Sequence, residues 1–123
     1  MNVFELVPDQ HSLDLSVQVV SLLTKATYTH EKTGEIIQVA EYLVADPTAQ
    51  VIFKAEADQI HMLEQHQHVR LLNARTTALH GHLRIVVDQH EKFGGRVLPD
   101  TEAIDIPLPS SLPNISDVEF TLS

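Results

Sequence analysis

The sequence contains no cysteine and no tryptophan. The first absence excludes a disulfide framework, thiolate metal ligands and a cysteine nucleophile at once, and it fits a reducing compartment. Aromatic residues are scarce as well: two tyrosines and four phenylalanines among 123 residues. No apolar run approaches the roughly 18–20 residues that a membrane-spanning helix needs. The stretch from Met1 to Gln10 carries Glu5 and Asp9 but neither lysine nor arginine, whereas secretory and mitochondrial leaders are basic. The expectation is a soluble intracellular protein, nuclear or cytoplasmic. A chain of this length with 43% hydrophobic residues suits one domain with a packed core.

Positive charge is also in short supply, and the net charge is −9. The acid surplus sits at the two ends. Residues 1–14 hold Glu5, Asp9 and Asp14 without a base, and residues 99–123 hold Asp100, Glu102, Asp105, Asp117 and Glu119 without a base. The body between them is close to neutral. It lacks the basic stripe that marks an electrostatic nucleic-acid binder, yet it is not the acidic surface that the overall charge suggests.

What the chain does have is alternation. Leu13, Leu15, Val17 and Val19 alternate with Asp14, Ser16 and Gln18, the period-two pattern of a half-buried strand running on towards Leu22 and Leu23. Residues 24–35 are polar, end near Gly34 and read as a long connecting loop. A second strand is expected at about 36–45, with a bulge or strong coiling where the alternation slips between Val39 and Tyr42. Asp46-Pro47-Thr48 signals a tight turn, and Val51, Phe53 and Ala55 then mark a third strand. Residues 56–65 break the pattern with Ile60, Met62 and Leu63 among good helix formers, so a short helix is expected there. A fourth strand follows over 68–79 with an irregularity near Asn73-Ala74. His80-Gly81-His82 makes a short turn, and Leu83, Ile85 and Val87 mark a fifth strand. Residues 97–123 hold four of the six prolines and read as an extended tail, in which Val118, Phe120 and Leu122 alternate as an edge strand would.

Five strands with one short helix between the third and fourth describe an all-β, OB-fold barrel. The expected division is a barrel over 1–98 and an acidic, proline-rich tail over 99–123 packing on or beside it.

The run Leu43-Val44-Ala45-Asp46-Pro47-Thr48-Ala49-Gln50 resembles the V-A-D-x-T-G turn of the eukaryotic sensor-of-single-stranded-DNA proteins of the B type. The stretch from Val51 to Val87 is similar to that family without a gap. A small group of plant and protist OB-fold-like proteins looks closer still, through Val51-Ile52-Phe53, Asp58-Gln59-Ile60, Asn73-Ala74-Arg75, Gly81, Leu83-Arg84 and the closing Asn114 to Phe120. The resemblance implies an OB barrel that binds single-stranded nucleic acid. The positions that match the family's base-stacking aromatics are Glu56, Arg75, Leu79 and Val86, none of them aromatic here. Stacking contributes roughly 1–3 kcal/mol per base, so any binding by this chain is expected to be weak.

Strand parity provides a face independently of that resemblance. With Val51, Phe53 and Ala55 inward, Ile52, Lys54 and Glu56 point out; with Leu83, Ile85 and Val87 inward, His82, Arg84 and Val86 point out. Lys54, Arg75 and Arg84 are therefore expected around Ile52, Leu79 and Val86, beside the His80 turn. Cations there suit phosphates, and flat guanidinium groups suit bases. Residues 89–97 add Lys92, Phe93 and Arg96. The expected nucleic-acid contacts are Lys54, Arg75, His80, Arg84, Lys92, Phe93 and Arg96.

Ile52, Leu79 and Val86 serve equally as the centre of a protein interface in a larger assembly, and Asp105 with the stretch from Ile106 to Leu112 suits an extended segment lying in a groove of another chain.

Enzyme chemistry finds little support. No glycine-rich phosphate loop, nucleophile elbow or H-E-x-x-H pattern occurs. His61, Glu64, His66 and His68 cluster in sequence, but their spacing fixes no third ligand, and neither a metal nor a cofactor is expected. Asp58 suits the start of the helix better than acid–base work. The expected function is non-enzymatic: weak, electrostatic binding of single-stranded DNA or RNA, with a protein-interaction OB module of a larger complex as the alternative.

Overall fold

The computed structural model describes residues 2–88, 94–102, 108–109 and 111–119. The strands are β1 (Leu13–Thr29), β2 (Ile36–Ala45), β3 (Gln50–Glu56), β4 (His68–Leu79), β5 (His82–Val86) and β6 (Arg96–Pro99), with α1 (Asp58–Gln65) between β3 and β4. Neighbouring strands run β1-β2-β3-β5-β4-β6, and a further β1–β4 pairing closes the first five into a ring. β3 and β5 pair in parallel and the other pairs are antiparallel. This closed five-stranded barrel with its helix after β3 is the OB architecture.

Alternation places the core. Val51, Phe53 and Ala55 of β3, Ala40, Tyr42 and Val44 of β2, and Leu83 and Ile85 of β5 are all buried inside the ring. The slip expected between Val39 and Tyr42 is absent, since β2 pairs with β3 in unbroken register from Val39 to Ala45. The bulges lie instead in β1, between Val19 and Ser21 and between Leu22 and Thr24. They give β1 the extra bend it needs to pair with both β4 and β2. The irregularity at Asn73-Ala74 is present: Asn73 has a φ of 54°, and the β1–β4 register shifts beside it.

The largest departure from the sequence expectation is at residues 24–29. They are not loop. β1 continues to Thr29 and pairs with β2 through Thr24↔Glu41, Ala26↔Val39 and Tyr28↔Ile37, leaving only residues 30–35 as the connection. β4 accompanies β1 no further than Gln18, and β3 accompanies β2 no further than Val39. The hairpin end therefore projects as a two-stranded arm with both faces in water, and polar residues such as Thr24, Lys25 and Thr27 are what such an arm needs. That double exposure is why no hydrophobic alternation marks it.

The described residues beyond 95 are also more structured than an extended tail. β6 pairs with β4 through Leu71↔Val97 and Arg70↔Leu98. Gly95 makes this return possible: a Cβ there would lie 2.5 Å from the Asp88 carbonyl oxygen. Further on, Ile115–Asp117 form a short 3-10 turn that fills the gap where β3 and β5 splay. The Ser116 hydroxyl accepts from the Ile52 N–H at 2.8 Å and donates to the Leu83 carbonyl at 2.7 Å. Gln50 N–H donates to the Pro113 carbonyl at 2.8 Å. Of the alternating Val118, Phe120 and Leu122, the last two lie outside the described residues, and among the described ones Glu119 bridges to His82. Asp105, Ile106, Pro107 and Ser110 of the expected groove-binding stretch also lie outside them.

Two local features yield stability predictions. Ala57, at the start of α1, has φ 50° and ψ −120°, a conformation that suits glycine and costs other residues roughly 1–3 kcal/mol. Ala57→Gly is expected to raise the urea midpoint, by a stability gain of about 1 kcal/mol. Tyr42 is buried, and burial, followed by the negative Glu64, raises its phenol pKa above 10.0. A raised value means that the neutral phenol is favoured in the fold, so its contribution is intact below the unfolded value and is lost as pH rises through the folded value. The stability gap between Tyr42→Phe and the parent chain, followed by urea unfolding from neutral to strongly alkaline pH, is expected to shift in favour of the phenylalanine variant in that alkaline window.

Candidate nucleic-acid interface

The ladders assemble the outer face row by row. Glu41 of β2 lies beside Lys54 of β3, Lys54 beside Val86 of β5, and Val86 beside Arg75 of β4. The next row runs Leu43, Ile52, Arg84, Thr77 across the same strands. Lys54, Arg75 and Arg84 thus share one face with Ile52, Val86 and, at its end, Leu79, as parity requires. Leu79 is exposed, whereas Ile52 and Val86 are half-buried. His80, with φ 51°, and Gly81 form the two-residue turn that joins β4 to β5 at one end of this face.

The electrostatics are less favourable to phosphate than the cation positions alone imply. Arg84 Nε donates to Glu41 Oε2 at 2.5 Å, and the side chain is only 12% exposed. Its Nη1 donates to the Leu83 carbonyl at 3.1 Å. Arg75 Nε donates to Asp88 Oδ2 at 2.6 Å, and this hydrogen bond holds the guanidinium pKa above its ordinary value. Both arginines are therefore already matched by carboxylates, Arg84 by Glu41 across the intervening β3 and Arg75 by Asp88 just past the end of β5. Lys54 makes no ion pair among the described residues.

Arg96 stands apart from this group. It sits on β6 opposite Leu72, along the half of β4 that pairs with β1 rather than β5. Lys92 and Phe93 lie outside the described residues.

The structure adds a residue that the sequence pattern did not reveal. Tyr28 of the arm pairs with Ile37, two positions along from the Ala26↔Val39 pair, which in turn lies beside Glu56. Successive pairs two apart share a face, so Tyr28, Ala26 and Thr24 continue the row set of Glu56 and Lys54. Tyr28 is 46% exposed and presents an aromatic ring on the arm's extension of the outer face. No hydrophobic alternation singles it out in the sequence, because the residues around it are exposed on both faces of the arm.

Among the described residues no group of three histidine, aspartate or glutamate side chains is placed to hold a metal ion. Glu64, from the histidine-rich stretch, is instead 3.1 Å from Lys25 Nζ. No helix among the described residues is long and apolar enough to cross a membrane.

The barrel is an OB fold, and its β2-β3-β5-β4 face carries cations among aliphatic side chains. Comparison with known families agrees: residues 6–95 match the model described as "Single-stranded DNA binding protein Ssb-like, OB fold", and the chain belongs to that family. Among solved structures, a solution structure of hypothetical protein F20O9.120 from Arabidopsis thaliana superposes with a TM-score of 0.76. The match covers 100% of this chain and 86% of that one at 24% identity, a likeness of fold. No curated protein matches the chain significantly.

Proposed function

We propose that this protein is a non-enzymatic OB module that binds single-stranded DNA or RNA weakly, along the face formed by Lys54, Arg75 and Arg84 and continued by Tyr28. Membership of the Ssb-like family supports the ligand class. The observation that carries the site is the shared row set, which aligns Lys54 and Tyr28 along one outer surface from barrel to arm. In this reading Lys54 supplies the uncompensated charge, Tyr28 a stacking platform, and the two paired arginines contribute only when a phosphate displaces a carboxylate. His80 borders the surface at the far end. Lys92, Phe93 and Arg96 belong to the reading as further contacts.

The test is a titration of a fluorescent single-stranded oligonucleotide at low salt. Lys54→Glu with Arg75→Glu is expected to abolish binding, and Tyr28→Ala to weaken it by about 1–3 kcal/mol if one base stacks there. Absence of binding by the parent chain at low salt would refute the reading.

One observation favours the alternative, an OB module of a protein assembly. Pre-paired arginines around Ile52, Leu79 and Val86 look like the neutralised rim of an apolar contact. Co-purification of a stoichiometric partner that survives nuclease treatment and is lost on Leu79→Asp supports that alternative.

A further inference from the structure

A second surface, on the opposite side of the arm, has different chemistry. β3 leaves the β2 ladder at Ala57, whose N–H donates to the Gln38 carbonyl at 3.0 Å as the last rung. The strained turn at Ala57 then sends the chain into α1. Backbone groups of a strand alternate between its two neighbours. Because Gln38 faces the β3 lane, Ile36 faces it too, and its N–H and C=O meet a lane that β3 has vacated. That lane opens into a cleft of about 480 Å³ between the arm and α1, walled by Ile36 and Ile37 on one side and by Asp58, Ile60 and His61 on the other. Ile36 is 73% exposed. The rim carries Glu35, Asp58 and Glu64 against Lys25, and Lys25 is already taken by Glu64.

We propose that this cleft docks an extended, basic segment of a protein partner, which adds as a short strand to the free edge of β2. The occupant follows from three requirements. The Ile36 backbone asks for main-chain donors and acceptors. The isoleucine wall asks for an aliphatic side chain. The unmatched carboxylates Glu35 and Asp58 ask for lysine or arginine, and they repel a phosphate chain. The site meets the nucleic-acid face only at Ile37, which pairs with Tyr28; its other arm residues Ile36, Gln38 and Lys25 lie on the opposite side of the arm from Tyr28 and Val39.

The probe is a fluorescein-labelled hexapeptide alternating arginine with valine, titrated against the full chain by anisotropy. Saturable binding is expected, weakened at least tenfold by Glu35→Lys combined with Asp58→Asn, while oligonucleotide binding by that variant is not weakened. On the parent chain, a glutamate–valine peptide is expected not to bind, and the arginine–valine peptide N-methylated at alternate residues is expected to lose at least tenfold. Failure of the arginine–valine peptide to saturate, or equal binding by its N-methylated form, would overturn the proposal, the second because it would leave only non-specific charge attraction. Equal binding by a folded charge variant would overturn it as well.

Discussion

Replacing Glu41 and Asp88 by glutamine and asparagine is expected to tighten single-strand binding by on the order of tenfold or more at low salt. Both carboxylates now occupy guanidinium groups that face the proposed ligand. Glu41 holds Arg84 at 2.5 Å and Asp88 holds Arg75 at 2.6 Å. An amide keeps a hydrogen-bond acceptor but removes the charge, so each arginine becomes available to a phosphate without losing its position. On single strands the logarithm of affinity falls with the logarithm of salt by about 0.7 per phosphate neutralised. Two released arginines should therefore steepen that slope by about 1.4. Oligonucleotide titrations across a salt series measure both quantities, and an unchanged slope would remove Arg75 and Arg84 from the site. Asp88→Asn alone should have little effect on stability, because that pair is well exposed. Glu41→Gln should cost about 1–3 kcal/mol, since Arg84 is mostly buried and loses its charge partner.

Ending the chain after Pro109 is expected to destabilise the barrel by about 3–5 kcal/mol, counting roughly one per lost hydrogen bond and more for a buried donor left unpaired. The segment beyond supplies the Ser116 hydroxyl to Ile52 N–H and Leu83 carbonyl, the Pro113 carbonyl to Gln50 N–H, the Leu112 carbonyl to the Gln50 side chain, and the Ser116 carbonyl to His82 Nδ1. It also packs Ile115 against the core. Without it, β3 and β5 splay with their edge groups facing each other across an unfilled gap. Ser116→Ala isolates part of the effect and should cost about 1–3 kcal/mol. Urea unfolding measures both variants. A truncated chain with an unchanged midpoint would show that the segment merely rests on the barrel.

The sequence motifs acquire physical meaning in this setting. Asp46, from the Val44-Ala45-Asp46 run, accepts from the N–H groups of Val3, Thr48 and Ala49 and so knots the β2–β3 turn to the N-terminal segment. Gln59 of Asp58-Gln59-Ile60 is buried and ties α1 to the end of β5, donating to the Val87 carbonyl at 2.6 Å and accepting from Glu56 N–H at 3.0 Å. Both residues hold the ends of strands whose outer faces form the proposed site.

Period-two alternation by itself determined the barrel strands, the inward residues Val51, Phe53, Ala55, Leu83 and Ile85, and hence the outward direction of Lys54 and Arg84. It could do so because one side of each strand is buried and the other wet, and a one-residue error would have put charge in the core. The arm, the ion pairs and the Ser116 wedge were decided only by tertiary structure. An arm wet on both faces leaves no alternation to read. A carboxylate's partner across an intervening strand depends on the registers of two ladders at once, as with Glu41 of β2 and Arg84 of β5 on either side of β3. Ser116 counts as an ordinary polar tail residue until the splay between β3 and β5 gives its hydroxyl two backbone groups to satisfy.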